Sequence, residues 1–160
     1  MSDGTSKYLS TYLNDHLTAA TFGVELAGRA AGAHKGSELG DFLASLRLEI
    51  ESDRRELEEI MASLGVAKDR VKPPVAWVVE KVGRLKLNGE LLHRSPLSST
   101  LELELLSLGI EGKRLLWLSL AETHGEQIGT ARLADLAERA EKQRAGVELH
   151  RLESVRGSLT

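Results

Sequence analysis

One aspartate interrupts an otherwise aliphatic heptad pattern near the end of the first third of the chain. The pattern repeats with 4,3 spacing at Leu39, Leu43, Leu46, Ile50, Asp53, Leu57, Ile60 and Leu64. A helix with this spacing turns all of these side chains toward one seam, so Asp53 is predicted to enter the core between packed helices. A charge in such a core costs several kcal/mol unless it is paired, protonated or bound to a metal ion. The position of Asp53 therefore requires an explanation.

The same 4,3 test places polar residues in the apolar stripes of the other predicted helices. The stripe of helix 3 is Leu97, Leu101, Glu104, Leu108, Glu111, Leu115 and Leu118. The stripe of helix 4 is Leu133, Leu136, Ala140, Gln143, Val147, His150 and Ser154. Helix 1 offers Leu9, Leu13, His16, Ala20, Gly23 and Ala27, with Glu25 one step off the seam. Helix 2 adds Glu49, one turn before Asp53.

If helices 1 and 4 run up and helices 2 and 3 run down, the rise per residue of an α-helix gives the height of each polar residue in the bundle. These heights fall into two layers. The lower layer, near the midplane, is predicted to contain Asp53, Glu111, Gln143 and His16. The looser upper layer is predicted to contain Glu49, Glu25, Glu104 and His150.

Three explanations of the polar positions remain open. The helices can be rotated so that these side chains lie at the edge of the seam and reach water. Alternatively, Lys113, Arg114 or Arg144 can neutralise the acids in a network within the protein. The core of that network would be Asp53, Glu111, Gln143 and Arg144. The third explanation is a metal site, whose candidate ligands are Asp53, Glu111, His16, Glu49, Glu25, Glu104 and His150.

Helix start and stop signals divide the chain into one domain, 1–160, with four long helices over about 8–31, 37–64, 96–122 and 130–156. Glycines suit the stops: Gly32 and Gly36 after helix 1, Gly65 after helix 2 and Gly125, with His124, after helix 3. Polar residues suit the starts: Ser37 before helix 2, Ser95 before Pro96 in helix 3, and Thr130 in helix 4. The predicted fold class is all-α, without strands.

A long connection separates the two pairs of helices. The segment 66–95 is predicted to carry a short helix over about 73–86, with an apolar side formed by Val75, Val78, Val79, Val82 and Leu85. The other two connections are short and make antiparallel neighbours, whereas this one can cross the whole bundle. We expect the short helix to cover one flank of the bundle. Docking of a partner or a membrane surface on it is the alternative.

Two helical hairpins joined by one long crossover resemble the ferritin-like four-helix bundles. The resemblance implies a dimetal centre built from one Glu on each of two helices and a Glu-x-x-His pair on each of the others. This chain has Ser52 where the His after Glu49 belongs, and Val147 where the Glu before His150 belongs. Glu25 and Glu111 or Glu104 match the single-Glu helices. The resemblance thus implies a reduced site that could hold an Fe, Mn or Zn ion.

Composition excludes several classes of function. The 160 residues include no cysteine, which excludes disulfides and thiolate chemistry and favours a cytoplasmic location. A formal net charge of -3 and mixed charges give no footprint for nucleic acid. We expect no secretory signal and no transmembrane segment. The sequence also lacks a Gly-rich phosphate loop and a Gly-x-Ser-x-Gly nucleophile elbow.

The sequence therefore favours a cytoplasmic helical-bundle protein without catalytic activity, which forms a homo-oligomer or binds a protein partner. Its inner acids would form a polar cluster in the bundle core. The alternative function is that of a metal-binding protein with a reduced carboxylate and His site, which binds or oxidises a transition metal. The incomplete Glu-x-x-His pairs favour the first function.

Overall fold

The apolar stripes of the sequence form four α-helices. A computed structural model describes residues 2–69 and 95–160, with side chains from residue 7 onward. Its helices are α1 (Ser2–Ala33), α2 (Glu38–Ser63), α3 (Pro96–Ile128) and α4 (Thr130–Ser158), and no strand occurs in these two ranges. The all-α prediction with four long helices is confirmed. The predicted short helix over 73–86 lies outside the described residues.

Local capping explains where α1 ends and α2 begins. Ser37 is the N-cap of α2, as predicted, and its Oγ accepts a hydrogen bond from the backbone N–H of Gly40 at 3.1 Å. Gly36, with φ of 84°, provides the left-handed turn before this cap. Gly32 was predicted as an alternative stop, but it lies inside α1. Gly65 follows α2 with φ of 68°, as its predicted role requires.

The end of α3 differs from the prediction. His124 and Gly125 were expected to close the helix, but α3 continues to Ile128 across a kink at His124, where φ is -134° and ψ is 17°. The next helix starts at Thr130 with Gly129 as its N-cap, and no side chain caps it. The predicted capping role of Thr130 is therefore wrong. Only one residue separates the two helices, which makes a tight antiparallel hairpin.

Side-chain contacts fix the directions of the helices. Tyr12 Oη donates to Ser119 Oγ at 3.3 Å, and His34 Nε2 and Ser99 Oγ are hydrogen-bonded at 2.9 Å near the other end of the same pair, so α1 and α3 are antiparallel. Contacts from Glu49 to Gln143 and from Glu56 to Arg132 make α2 and α4 antiparallel as well. Each helix thus packs beside its hairpin partner and one helix of the other hairpin. Because α1 is antiparallel to both α2 and α3, the latter two run in the same direction.

The buried side chains form two hydrophobic clusters, and a polar layer lies between them. Along α2, Asp53 separates Ile50 of one cluster from Leu57 of the other. Along α3, Lys113 separates Ile110 from Leu116 in the same way. The core is therefore divided near its midplane by charged residues.

The predicted seam of α3 is wrong by about half a turn. Leu108, at the centre of that predicted stripe, is 70% exposed. The buried residues of α3 are Thr100, Leu103, Leu106, Ile110, Leu116, Trp117, Leu120 and Gly125. Because α3 carries apolar residues on nearly all sides, the 4,3 spacing could not identify the face that packs inward. The outer stripe of leucines remains uncovered by the described helices.

We expect Gly40→Ala to destabilise the first hairpin. A Cβ at position 40 would lie 2.1 Å from the backbone oxygen of His34, so the turn between α1 and α2 would have to move away from α2. The free energy of unfolding, measured by urea denaturation, should fall by about 1–3 kcal/mol. Gly32→Ala is the matched control, because a Cβ there meets no atom within 4 Å, and it should leave stability unchanged or raise it slightly. Equal effects of the two substitutions would contradict this packing.

Candidate functional site

A buried ion cluster occupies the midplane of the bundle. Asp53 of α2 is 2% exposed. Lys113 Nζ of α3 donates to its Oδ2, and a guanidinium nitrogen of Arg139 on α4 donates to its Oδ1. Gln143 Nε2 of α4 also donates to Oδ2, at 3.1 Å. Three helices therefore meet on one carboxylate, and donors satisfy both of its oxygens.

Gln143 connects the members of the cluster because its amide both accepts and donates. Its Oε1 accepts a hydrogen bond from Lys113 Nζ at 2.5 Å. Its Nε2 also donates to Glu49 Oε2 at 3.0 Å, which joins a more exposed carboxylate of α2 to the buried one. Gln143 is 4% exposed. An amide suits this place, because a third cation or a third carboxylate would unbalance the charges.

The charges of the cluster balance, since Asp53 and Glu49 face Lys113 and Arg139. Burial lowers the pKa of Lys113 below its usual value, and the Asp53 carboxylate opposes that shift. A buried cation is tolerated only when a counter-charge and hydrogen bonds accompany it, and here Asp53 and Gln143 supply both. The cluster thus resembles the second explanation drawn from the sequence, a polar network within the protein.

Glu111, predicted to share the core with Asp53, lies instead on the flank between α3 and α4. Its side chain is 29% exposed and accepts two hydrogen bonds from Arg114, each at 2.9 Å. Those bonds lower the pKa of Glu111. Arg144, predicted as a core member, is 40% exposed and lies 3.5 Å from Glu111. Both residues therefore belong to a surface ion-pair network, and their placement in the core was wrong.

The predicted upper layer does not assemble. Glu25 is exposed on α1. Glu104 of α3 forms an ion pair with Arg151 of α4 at 3.5 Å. His150 stacks on Phe42, with ring centroids 4.4 Å apart. Of the predicted upper residues, only Glu49 joins the ion cluster.

His16 is not hydrogen-bonded to the residues of the ion cluster, but it lines a cavity beside them. Its ring meets Tyr12 edge-on, with centroids 4.7 Å apart. Partial burial lowers the pKa of His16, and the nearby Asp15 carboxylate opposes the shift. His16, Asp53 and Lys113 line one cavity between α1 and α3. The imidazole is therefore a neighbour of the cluster rather than a partner of Asp53.

The predicted metal ligands do not fit a metal ion in this arrangement. Within residues 2–69 and 95–160, no three His, Asp or Glu side chains come close enough to hold one. Asp53 is the most buried acid, but two cations occupy its oxygens and would repel a metal. The residues present therefore do not match the Fe, Mn or Zn centre that the resemblance implied.

Sequence reasoning missed Arg139, although a signal for it existed. Arg139 lies four residues before Gln143, so both side chains project from the same face of α4. Its side chain is 38% exposed, with the guanidinium reaching inward from the rim. A long cation at the edge of the seam, one turn from a seam amide, could have been identified as the counter-charge of Asp53.

Comparisons with known proteins give no family for this chain. No family model, no curated protein and no solved structure matches it. None of the helices within residues 2–69 and 95–160 is both long enough and apolar enough to cross a membrane.

We expect the ion cluster to be strongly coupled. Asp53→Leu leaves Lys113 buried without its carboxylate and should lower the free energy of unfolding by about 3–5 kcal/mol. Adding Lys113→Met should recover much of that loss, because apolar residues of similar size can replace a buried ion pair. Urea denaturation of both single variants and the double variant gives the coupling energy.

Glu111→Gln serves as the control for the cluster experiment. Its half-exposed surface ion pairs predict a loss of at most about 1 kcal/mol. Additive effects at positions 53 and 113, or a loss at position 111 as large as that of Asp53→Leu, would contradict the assignment of the cluster.

His16 should contribute to the pH dependence of stability below its ordinary pKa of 6.5. Its pKa is lowered in the folded state, so the unfolded chain binds the proton first and stability falls as the pH drops below about 6.5. In urea denaturation at pH 7.5 and pH 5.5, the loss of stability on acidification should be smaller for His16→Gln than for the unchanged protein. Identical losses would mean that the imidazole titrates freely.

Proposed function

We propose that this protein is a non-catalytic helical bundle that forms a homodimer through the outer face of α3. We call this surface the α3 leucine face. It consists of Leu97, Leu101, Leu108, Leu115 and Leu118. The single observation that carries the proposal is the exposure of four of these five leucines along one side of α3.

The α3 leucine face is unusual for a protein surface. Leu108 is 70% exposed, and Leu97, Leu115 and Leu118 are 44%, 49% and 44% exposed. From Leu97 to Leu118 the stripe extends about 32 Å at the rise of an α-helix. Isolated exposed leucines are common, but exposed leucines repeated along one side of a helix are typical of an interaction surface.

The spacing of the stripe suits a second copy of the same helix. Leu101 and Leu115 each lie seven residues from Leu108, on opposite sides of it. If two copies of α3 pack antiparallel about a two-fold axis at Leu108, Leu101 lies opposite the partner's Leu115. Leu97 then lies near the partner's Leu118. A dimer of this kind buries the same patch on both subunits, and 4,3 spacing is the spacing with which paired helices interlock.

The two acids within the stripe are compatible with burial in a dimer. Glu104 is paired with Arg151 of its own chain, and Glu111 with Arg114 and Arg144. In the register described above, Glu104 lies near the partner's Glu111, and each carboxylate would enter the interface with a counter-charge of its own chain already in contact. An acid without such a partner would oppose association, because desolvation of a lone charge costs several kcal/mol.

The ion cluster supports a role without catalysis. The cations on the oxygens of Asp53 occupy the positions where a metal ion or a substrate proton would have to bind. The ferritin-like layout is part of the proposal, supported by the two hairpins and the shared direction of α2 and α3. On this proposal the bundle keeps a ferritin-like outline and uses its midplane for specificity of packing. Its cytoplasmic location remains a prediction.

We expect Leu108→Glu to convert the dimer to a monomer. The substitution places two like charges at the two-fold axis, where they repel each other across a dry interface. Sedimentation equilibrium at about 100 µM protein, a concentration that also populates weak dimers, should show twice the monomer mass for the unchanged chain. The variant should show the monomer mass.

Leu149→Glu is the matched control, because Leu149 is 68% exposed but lies on α4 outside the α3 leucine face. It should remain dimeric. A monomeric unchanged protein, a dimer that survives Leu108→Glu, or a dimer that dissociates equally with Leu149→Glu would overturn the proposal. So would nuclear Overhauser contacts showing that residues 70–94 of the same chain cover Leu108.

A further inference from the structure

A cavity of about 390 Å³ lies between α1 and α3, beside the ion cluster. Small residues create it, because Ala19, Ala20 and Gly23 of α1 face Gly109 and Gly112 of α3. A Cβ added at Gly109 or Gly112 would meet no atom within 4 Å. No neighbouring atom therefore fills these two positions, and the volume of the cavity lies in the range of small-molecule sites.

The wall of the cavity is apolar except at one end. Leu26, Ile50, Leu57 and Leu116 contribute aliphatic surface. Asp53 and Lys113 of the ion cluster also line the cavity, as does His16. A mostly apolar pocket with a few convergent polar groups is the usual form of a site for a small organic molecule.

One buried hydrogen-bond donor of the wall lacks an acceptor, and a second group of the wall can donate one more hydrogen bond. Trp117 is 1% exposed, and its indole N–H has no partner in the part of the chain that the structure describes. Lys113 donates to Asp53 and Gln143, which leaves the third proton of its ammonium group without an acceptor among the described residues. A buried donor without an acceptor is unfavourable, because it has lost its hydrogen bonds to water. An oxygen of a bound molecule would remove that cost.

The charge balance of the cluster selects the kind of molecule. Asp53, Glu49, Lys113 and Arg139 already neutralise one another. An anionic or cationic ligand would bring an uncompensated charge into an apolar cavity, which is unfavourable. An uncharged molecule with an apolar body and one oxygen acceptor satisfies both the aliphatic wall and the free donors.

We propose that the cavity between α1 and α3 binds an uncharged, mostly apolar small molecule that carries a hydroxyl or carbonyl oxygen. The apolar part would lie against the aliphatic wall and displace water from it. The oxygen would accept a hydrogen bond from the Trp117 indole or from Lys113. Leu108, which belongs to the α3 leucine face, also lines this cavity, but the proposed site needs the residues of one chain only.

Binding can be measured with 1-octanol as the probe and the two indole N–H signals of the ¹⁵N-labelled protein as the readout. Trp77→Phe removes one signal and so assigns the other to Trp117. Titration with 1-octanol should shift the Trp117 signal to a saturable end point. n-Octane lacks the acceptor and octanoate carries a charge, so both should bind more weakly than 1-octanol.

Gly112→Leu should block the site, because its side chain enters the cavity from a position with room for a Cβ. Affinity for 1-octanol should fall by about tenfold or more. Gly32→Leu, at an exposed position of α1 outside the cavity, also has free space around its Cβ and should bind as the unchanged protein does. Thermal melting checks that both variants fold. If Gly112→Leu unfolds, Ala20→Leu is the second blocking variant and should weaken binding similarly.

Several results would overturn the proposal. An unchanged Trp117 signal up to the solubility limit of 1-octanol would exclude the site. Equal affinity in folded Gly112→Leu would place binding elsewhere, and tighter binding of octanoate would refute the uncharged ligand. Nuclear Overhauser contacts from residues 70–94 to Ala19 or Gly109 in the ligand-free protein would show that the chain itself fills the cavity.

Discussion

The neutralisation of Asp53 is the constraint on which the helix packing depends. A carboxylate that is 2% exposed requires its donors at fixed positions, and they come from two other helices, Lys113 of α3 and Arg139 and Gln143 of α4. Sliding either helix by one turn would move these donors by about 5.4 Å and leave the charge unpaired. Hydrophobic clusters above and below tolerate small shifts, whereas the ion cluster does not. The midplane thus fixes the register of three helices.

The hydrogen bonds of the ion cluster join α2, α3 and α4. Helix α1 packs against the bundle in a different way. It presents small residues to α3, and the space between the two helices remains open beside Asp53 and Lys113. One side of the ion cluster is therefore closed by α4, while the other borders an apolar cavity. The leucine stripe of α3 adds a second open surface, which faces away from the bundle. The proposed ligand and the proposed dimer both arise from this excess of apolar surface on α3.

Particular residues show how far the sequence could be interpreted. The 4,3 pattern of α2 placed Asp53 correctly in the core, and that of α4 did so for Gln143, because those helices have one apolar side each. The same test failed for α3, where Leu108 and Glu111 were assigned inward although a helix that is apolar on most sides satisfies more than one seam. Lys113 was one of three candidate counter-charges, whereas Arg139 was harder to place, since a long cation can extend inward from a rim position. With α3 rotated in this way, its two predicted metal ligands, Glu104 and Glu111, form ion pairs with arginines and do not meet Asp53.

The sequence by itself determined the four long helices of residues 2–69 and 95–160, most of their ends and the presence of a buried acid, because these depend on local periodicity, capping and turn residues. Tertiary structure alone decided which face of α3 turns inward, which cations meet Asp53 and where a cavity remains. Those outcomes depend on contacts between residues 30 to 90 positions apart, such as Lys113 with Gln143 and Asp53 with Gln143. Local spacing does not encode the rotation of one helix against another, since that rotation is chosen by all the packed surfaces together.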